Sequence, residues 1–510
     1  MNDLKNAVFG VVGICGINGN LISRVLVDHG FTVIGTDLSS KEECKFQSAL
    51  DSYDMKIYYG QPPEEFYEEV DYMILPMALS EKSEPYKKTI EHNIPLLTPD
   101  DILDKINPAK QVICVGGTNG KTTTTAMIKH ICYEYGIKPC EHNLKNMQGN
   151  IRYIPGLQAR LNGDLAILET GTQGIPGDLT RTMKDCQPNA VVLTNITPDH
   201  LSDGSSFLDY ARVKGGLVNA VQNKRIIVNG DDPTVMGLLK ELEYTGDLMT
   251  FGLEYETFEE VKKECFCGKQ IKINEIIAGC GTYECDCGLT YKTPEFLAKN
   301  ITGNNRNKFT FNCPTGDYDF ELQVSGLHNI YNAMGAIIAA HEILDIPFSD
   351  IKRALSTFTG VSGRMEKVGV VNGKDLMIDY AHNPAGILTV LSEIKKQYGS
   401  VCIVITTISE SGESGDYQIL KAASTFADHI IPASHASHVC ALKLIDDPKF
   451  KNKIRLPEVE PEEFKKGTLG ATGDQLLEGV KSAFNTNDNI VVCTGDASFK
   501  YKDKLYELVN

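Results

Sequence analysis

Short apolar, β-branched runs that stop at a glycine and resume as helically spaced apolar positions recur along most of this chain, a pattern that predicts strands alternating with helices. From Val112 to Val115 the run is continuous and ends at Gly116-Gly117. After Lys121 the apolar positions Met127, Ile128 and Ile131 fall at helical spacing, so this stretch reads as strand, tight loop and helix. Residues 7–37 give the same reading: strand, glycine-rich turn, amphipathic helix, then a second strand ending at Asp37. Short strands at Met55–Tyr59, Tyr72–Leu75 and Pro95–Leu97 complete a small α/β unit that closes near Asn107-Pro108. Leu165–Gly171, the run from Ala190 and Arg225–Asn229 read as buried strands ending in polar residues, and Gly326–Leu344 as a buried helix. Strands at Leu376–Pro384, Val401–Ile408, His429–Ser434 and Asn489–Asp496 suggest a further doubly wound unit.

Length turns this alternation into a domain plan: 510 residues hold about three domains. The expected division is 1–108, 109–358 and 359–510, the last opening at the glycine-flanked Arg364 of GVSGRMEKV. A formal charge of -17 argues against nucleic acid or an anionic membrane surface as the main partner. With no signal segment and no apolar run long enough to span a bilayer, a cytoplasmic protein is expected. The 15 cysteines are spread mostly singly through apolar segments, as small buried hydrophobes rather than a disulfide framework.

Candidate chemistry concentrates where strands end. The loop GTNGKT, Gly117 to Thr122, offers backbone N–H groups for phosphate oxygens, the charge of Lys121, a hydroxyl on Thr122 for magnesium and the positive end of a helix, and is taken as an ATP loop. Glu169 and His200, at the ends of neighbouring strands, suit magnesium coordination or serve as capping residues. The group Asn229, Asp231 and Asp232 reads as a polar strand end or a solvated turn. In the first unit Gly13, Gly16, Gly19 and Asp37 resemble a nucleotide-diphosphate turn, although packing of helix on strand explains such glycines equally well. Residues 262–293 break the alternation. Two Cys-x-Cys-Gly knuckles place Cys265, Cys267, Cys285 and Cys287 as four thiolates for one structural zinc, with Cys280 as a substitute ligand and free or redox-active thiols as the alternative.

GTNGKTTTT, LETG, NITPDHLSD, GLHNIYNAMGA, GVSGRMEKV and DYAHNP together resemble, in order, the ATP-dependent Mur ligases, which join amino acids to nucleotide-linked peptides. The N-terminal GVVGICGING resembles the nucleotide-sugar-binding domain of the early-acting Mur ligases. The cysteine knuckles resemble the zinc ribbon of a ligase subunit that, with a glutaminase, amidates lipid-linked glutamate. Overall the chain looks most like the archaeal pseudomurein peptide ligases. The resemblance implies a Rossmann-like first domain, a P-loop ATPase-like central domain and a Rossmann-like third domain.

It also assigns roles. Gly117, Thr118, Asn119, Gly120, Lys121, Thr122 and Thr123 would hold the ATP phosphates, with Thr122 and Glu169 on one magnesium and His200 on a second. Lys214 falls where the family carries a carbamylated lysine that helps place magnesium. Asn329 and Asn332 would lie near the adenine, Arg364 would reach the phosphates, and Asp379 and His382 would flank the ribose and the reacting centre. Gly13, Gly16, Gly19 and Asp37 would hold the nucleotide-linked substrate. The implied activity adds a free amino acid to a UDP-linked glutamyl peptide of pseudomurein or murein through an acyl phosphate, by a monomer whose domains open and close. A glutamine-dependent amidating ligase subunit and a non-catalytic nucleotide-binding protein are the alternatives. No DNPR motif marks the incoming amino acid; PASHASH, Pro432–His438, occupies that region, and its histidines are expected in a surface loop rather than on a metal.

Overall fold

The computed structural model describes residues 6–142, 152–201, 206–257, 260–303, 306–407, 412–450, 452–457 and 471–509. The start of the chain, Ser202 to Gly204 of the NITPDHLSDG run and Ile408 lie outside the described residues. The first sheet is entirely parallel, in the order Lys56–Tyr59, Thr32–Asp37, Val8–Val12, Tyr72–Ile74, Leu96–Leu97. Strand order reverses at Val8–Val12, which opens a crevice at the carboxyl ends of the strands.

The central sheet runs Gly316–Leu322, Asn307–Cys313, Phe296–Thr302, Asp247–Leu253, Arg225–Asn229, Ala190–Leu193, Gln111–Gly116, Leu165–Glu169. Its last six strands are parallel, and the first two join antiparallel. Val112 to Val115 are fully buried because helices cover both faces, which is why this strand reads as a continuous apolar run. The helix expected over Gly326–Leu344 is α-helical from Leu327 to Ile338 and closes with a π-helical turn, Ala339–Ile343.

An antiparallel ribbon, Glu260–Glu264, Gln270–Ile277 and Cys280–Glu284, is inserted between Asp247–Leu253 and Phe296–Thr302. Those two flanking strands remain neighbours, so the insertion leaves the central sheet unbroken. The fourth sheet runs Glu366–Val371, Lys374–Asp379, Ile490–Thr494, Val401–Ile405, His429–Pro432. Its last four strands are parallel; the edge strand Glu366–Val371 is antiparallel to its neighbour. That edge departs from the doubly wound expectation and follows from Asn372-Gly373, both at positive φ, the signature of a tight hairpin.

The first and central units share one apolar core, in which Phe9, Val11 and Leu21 belong with Val112, Cys114 and Leu168. Buried Arg160 fastens them: its Nε donates to Ile106 O at 2.6 Å and its Nη atoms to the carbonyls of Leu103, Gly156 and Asp185. Two cysteine and histidine expectations need correction. Cys15 and Cys44 form a disulfide with Cα atoms 5.2 Å apart, beside the glycine turn. The histidines of PASHASH are not in a surface loop: Ser434 caps a helix, His435–Leu444, in a reciprocal box with Ser437, and His438 is buried.

Candidate active site

The loop between the strand Gln111–Gly116 and the helix Lys121–Tyr135 is tightly constrained. A side chain on Gly117 would stand 2.1 Å from Thr194 Oγ1, and one on Gly120, at φ +85, 2.2 Å from Asn332 Oδ1. Thr118 N donates to Asn195 O at 2.8 Å, and Lys121 Nζ to Thr118 O at 2.7 Å. Thr122 and buried Thr123 open the helix, whose first-turn N–H groups and dipole favour an anion. Thr122 Oγ1 donates to Glu169 Oε1 at 3.1 Å, a meeting made by register, since Val115 pairs with Glu169 across the sheet. On the helix Leu327–Ile338, Asn332 Nδ2 donates to Asn329 Oδ1 at 3.2 Å, and Thr124 donates to Asn332. The asparagines and the loop line one cavity.

The fourth sheet closes the far side. Arg364 Nη2 lies 3.4 Å from Thr122 Oγ1, and its guanidinium sits 4.6 Å over the Tyr380 ring. Asp379 is buried with its oxygens accepting from Met365 N at 2.8 Å and Ala381 N at 2.7 Å, so it orders the turn that presents Arg364. Burial pushes its carboxyl up, and Arg364 opposes the rise. The sequence reading missed the lock beside it. Asn383 Nδ2 donates to Asp199 Oδ2 at 3.0 Å and to Asn119 Oδ1 at 3.1 Å, while its Oδ1 caps the helix Pro384–Tyr398 at Gly386 N. His382 Nε2 stands 3.6 Å from Asp199 Oδ2. Burial would raise the Asp199 carboxyl, but the hydrogen bond from His382 and its charge hold it at about 2. Asn383 and Asp199 belong to DYAHNP and PDH; only their chain separation hid the contact.

His200, at φ 51, stacks on Tyr210 with ring centroids 6.0 Å apart. Burial, with Lys214, His382 and Lys121 nearby, lowers it to about 4, which keeps the imidazole neutral and able to ligate. Lys214 is buried, donates to Gly117 O at 3.0 Å and lies 4.6 Å over the Tyr210 ring. Burial, then the charge of Lys121, lower it to about 7.

A second cavity lies at the reversal point of the first sheet, lined by Gly13, Gly16, Gly19, Asp37 and Cys15 among others. Asp37 is engaged on both oxygens, accepting from Cys15 N at 2.9 Å and Ser39 N at 3.0 Å. A side chain on Gly19 would fall 2.3 Å from Gly13 O, so this glycine is required by helix packing whatever the cavity binds.

The sulfurs of Cys265, Cys267, Cys285 and Cys287 all lie within 4.8 Å of one another. Cys265 and Cys287 are 3.8 Å apart and Cys267 and Cys285 3.6 Å, close to the ~3.8 Å edge of a tetrahedron with 2.3 Å zinc–sulfur bonds. The N–H of Leu289 bonds the Cys287 sulfur and lowers its thiol to about 7. Cys280 is not a substitute ligand: it sits at the opposite end of the hairpin, buried, accepting from Asn229 Nδ2 at 3.5 Å.

A parallel-sheet phosphate loop, closed over by an arginine and an imidazole from a separate sheet, defines a nucleotide-dependent ligase. The chain belongs to the Mur ligase family, whose members are ATP-dependent acid–amino-acid ligases that act with magnesium. The Mur ligase middle domain matches residues 115–340, and the Mur ligase glutamate ligase domain matches residues 363–461. The structure of a pseudomurein peptide ligase type C from Methanothermus fervidus is similar at 32% identity and a TM-score of 0.83, covering 99% of this chain and 100% of that one. A UDP-N-acetylmuramate–L-alanine ligase of Aquifex aeolicus is 26% identical over 76% of this chain and 75% of its own length. The structure of a UDP-N-acetylmuramate–alanine ligase from Thermotoga maritima shares the fold, with a TM-score of 0.59 at 17% identity over 98% and 100% of the two chains. Among the described residues no helix is long and apolar enough to cross a membrane.

Proposed function

We propose that the enzyme adds an amino acid to a UDP-linked glutamyl peptide, in the synthesis of a pseudomurein- or murein-type wall, as a cytoplasmic monomer of an archaeal cell. The observation that carries this reading is the meeting of Arg364 with Thr122 and Lys121 on one cavity, built from two different sheets, with Glu169 bonded to the Thr122 hydroxyl. The loop Gly117–Thr123 binds the triphosphate. Lys121 leaves its carbonyl partner for the phosphates, and the acceptor carboxylate attacks the γ-phosphorus to give an acyl phosphate and ADP. The amine of the incoming amino acid then attacks the carbonyl carbon, and phosphate leaves as the amide forms. Phosphoryl transfer asks the protein mainly for positioning and charge neutralisation, which Lys121 and Arg364 provide. Closure of the fourth sheet keeps water from the acyl phosphate.

The donor set fits magnesium: a threonine hydroxyl facing a carboxylate, a neutral imidazole, and a buried lysine that donates to the Gly117 carbonyl. Thr122 and Glu169 would hold one ion, His200 and a carbamate on Lys214 the other, since carbamylation exchanges a buried cation for an anion beside the metals. Bound magnesium neutralises charge on the transferring phosphoryl group. His382, paired with Asp199, can hold a proton near the amine. The crevice with Gly13, Gly16, Gly19 and Asp37 takes the nucleotide of the acceptor. Cys265, Cys267, Cys285 and Cys287 hold a structural zinc.

The ribbon favours one second reading, an amidating ligase subunit fed ammonia by a glutaminase. Mass spectrometry of products made from ATP, magnesium, UDP-linked glutamyl and muramyl peptides, amino acids and ammonia decides between them. A gain of one amino acid residue supports the first reading, and amidation the second; no product from any pairing would refute both.

A further inference from the structure

The inserted ribbon reaches the nucleotide cavity. Its central strand, Gln270–Ile277, runs from the cysteine knuckles at one end to the turn Ile277–Cys280 at the other. So small a ribbon needs support, and it is fixed along its length. At the knuckle end, a side chain on Gly237 would fall 2.9 Å from Phe266, and Lys240 Nζ donates to Cys287 O at 3.3 Å. Lys263 Nζ, 3.7 Å from where a side chain on Gly279 of the tip would begin, donates to Ile196 O at 2.9 Å. At the tip, Gly281 N donates to Asp231 O at 2.9 Å and Tyr283 OH to Gly230 O at 3.2 Å. The tip departs from regular pairing, with a register shift between Glu275 and Ile277 and Ala278 at φ 51. That turn brings Ile277, Ala278 and Cys280 into the wall of the cavity that holds the phosphate loop.

The cavity is chemically divided. Its loop end carries Lys121, the helix N-terminus and Arg364. Ile277 and Ala278 share the wall with Val324, His328 and Val361, and His328 Nδ1 is buried with no hydrogen-bond partner among the described residues. A nucleoside triphosphate seated with its phosphates on the loop puts its base against apolar groups. We infer that the ribbon tip is the wall against which the purine packs, with Ile277 and Ala278 as base-contacting residues and the cysteine cluster as the remote clamp that holds the tip in place. This rests on the ATP reading above and deepens it: an insertion becomes part of the nucleotide site.

Titration calorimetry on the full, zinc-loaded chain tests it with ADP and with tripolyphosphate, which has phosphates but no base. Ile277→Ala should bind ADP roughly three- to tenfold more weakly, the effect of losing a few packed methylenes, and tripolyphosphate unchanged. Ile277→Leu should restore ADP binding, and stripping zinc with a chelator should weaken ADP while sparing tripolyphosphate. Wild-type ADP affinity in Ile277→Ala, equal loss of both ligands, or indifference to zinc removal would overturn the inference. Lys121→Ala separates the two failures: it should weaken both ligands, and normal binding there would sink the ATP-loop assignment itself.

Discussion

Replacing Arg364 with alanine tests the ligase reading most directly. Its Nη2 is 3.4 Å from the Thr122 hydroxyl, so a γ-phosphate oxygen on that hydroxyl would lie about 4 Å from the guanidinium. A unit charge at that distance contributes about 4 kcal/mol at an effective dielectric constant of 20, a factor of ~1,000 in kcat if realised mainly in the transition state. Arg364→Lys keeps the charge but loses the planar stacking over Tyr380, so an intermediate loss is expected. The fold should tolerate both changes, because Asp379 keeps its two backbone donors. The assay is steady-state ADP formation with hydroxylamine trapping of the acyl phosphate, alongside thermal melts. A kcat for Arg364→Ala within threefold of wild type, at an unchanged melting temperature, would refute the arrangement.

Three further outcomes are expected. Lys214→Met should abolish ligation and, in carbon-dioxide-free buffer where the lysine stays a free amine, leave the protein no less stable near pH 7. The native amine titrates near 7 and the unfolded one near 10.5, so its burial costs the native state increasingly as pH falls between those values, by up to about 5 kcal/mol; denaturant melts showing the variant weaker at pH 6.5 would contradict this. Asp231, which burial raises from 3.8 to about 6, gives the opposite sign for an acid: no cost below about pH 4, a growing cost through pH 6, and about 3 kcal/mol above it. Asp231→Asn should therefore gain stability relative to wild type between pH 4 and 7, and parallel pH profiles of the two melts would count against it. Asn383→Asp keeps an acceptor for Gly386 N but sets a carboxylate against Asp199, so turnover should fall at least tenfold while the far-ultraviolet spectrum is unchanged; unaltered turnover would dismiss the lock.

What could be read from the chain was whatever depends on neighbours in sequence. Glycine at 117 and 120, the lysine and threonine opening a helix, and the paired cysteine knuckles each declare themselves within a few residues. Glu169 was readable because a parallel sheet collects strand ends on one side. The lock was not, because Asn383 and Asp199 meet across 184 residues, and nothing in either motif encodes the partner. Cys280 misled for a related reason: counting cysteines ignores which end of a hairpin each occupies. At PASHASH the histidines read as surface-loop residues, when the informative residues were Ser434 and Ser437, which cap a helix.

The lock has a consequence for how such enzymes diversify. Asn119 lies within the phosphate loop itself, and the contacts made to it and around it come from Arg364, His382 and Asn383, with Gln397 Nε2 reaching Ser325 Oγ at 2.9 Å farther along. These docking contacts occupy a short leading stretch of the last unit. Under the proposed function, residues beyond it can drift to accept a different amino acid while the leading stretch preserves the fit to the nucleotide. Mutational libraries confined to residues after 397 should therefore change which amine is joined far more readily than whether ATP is turned over.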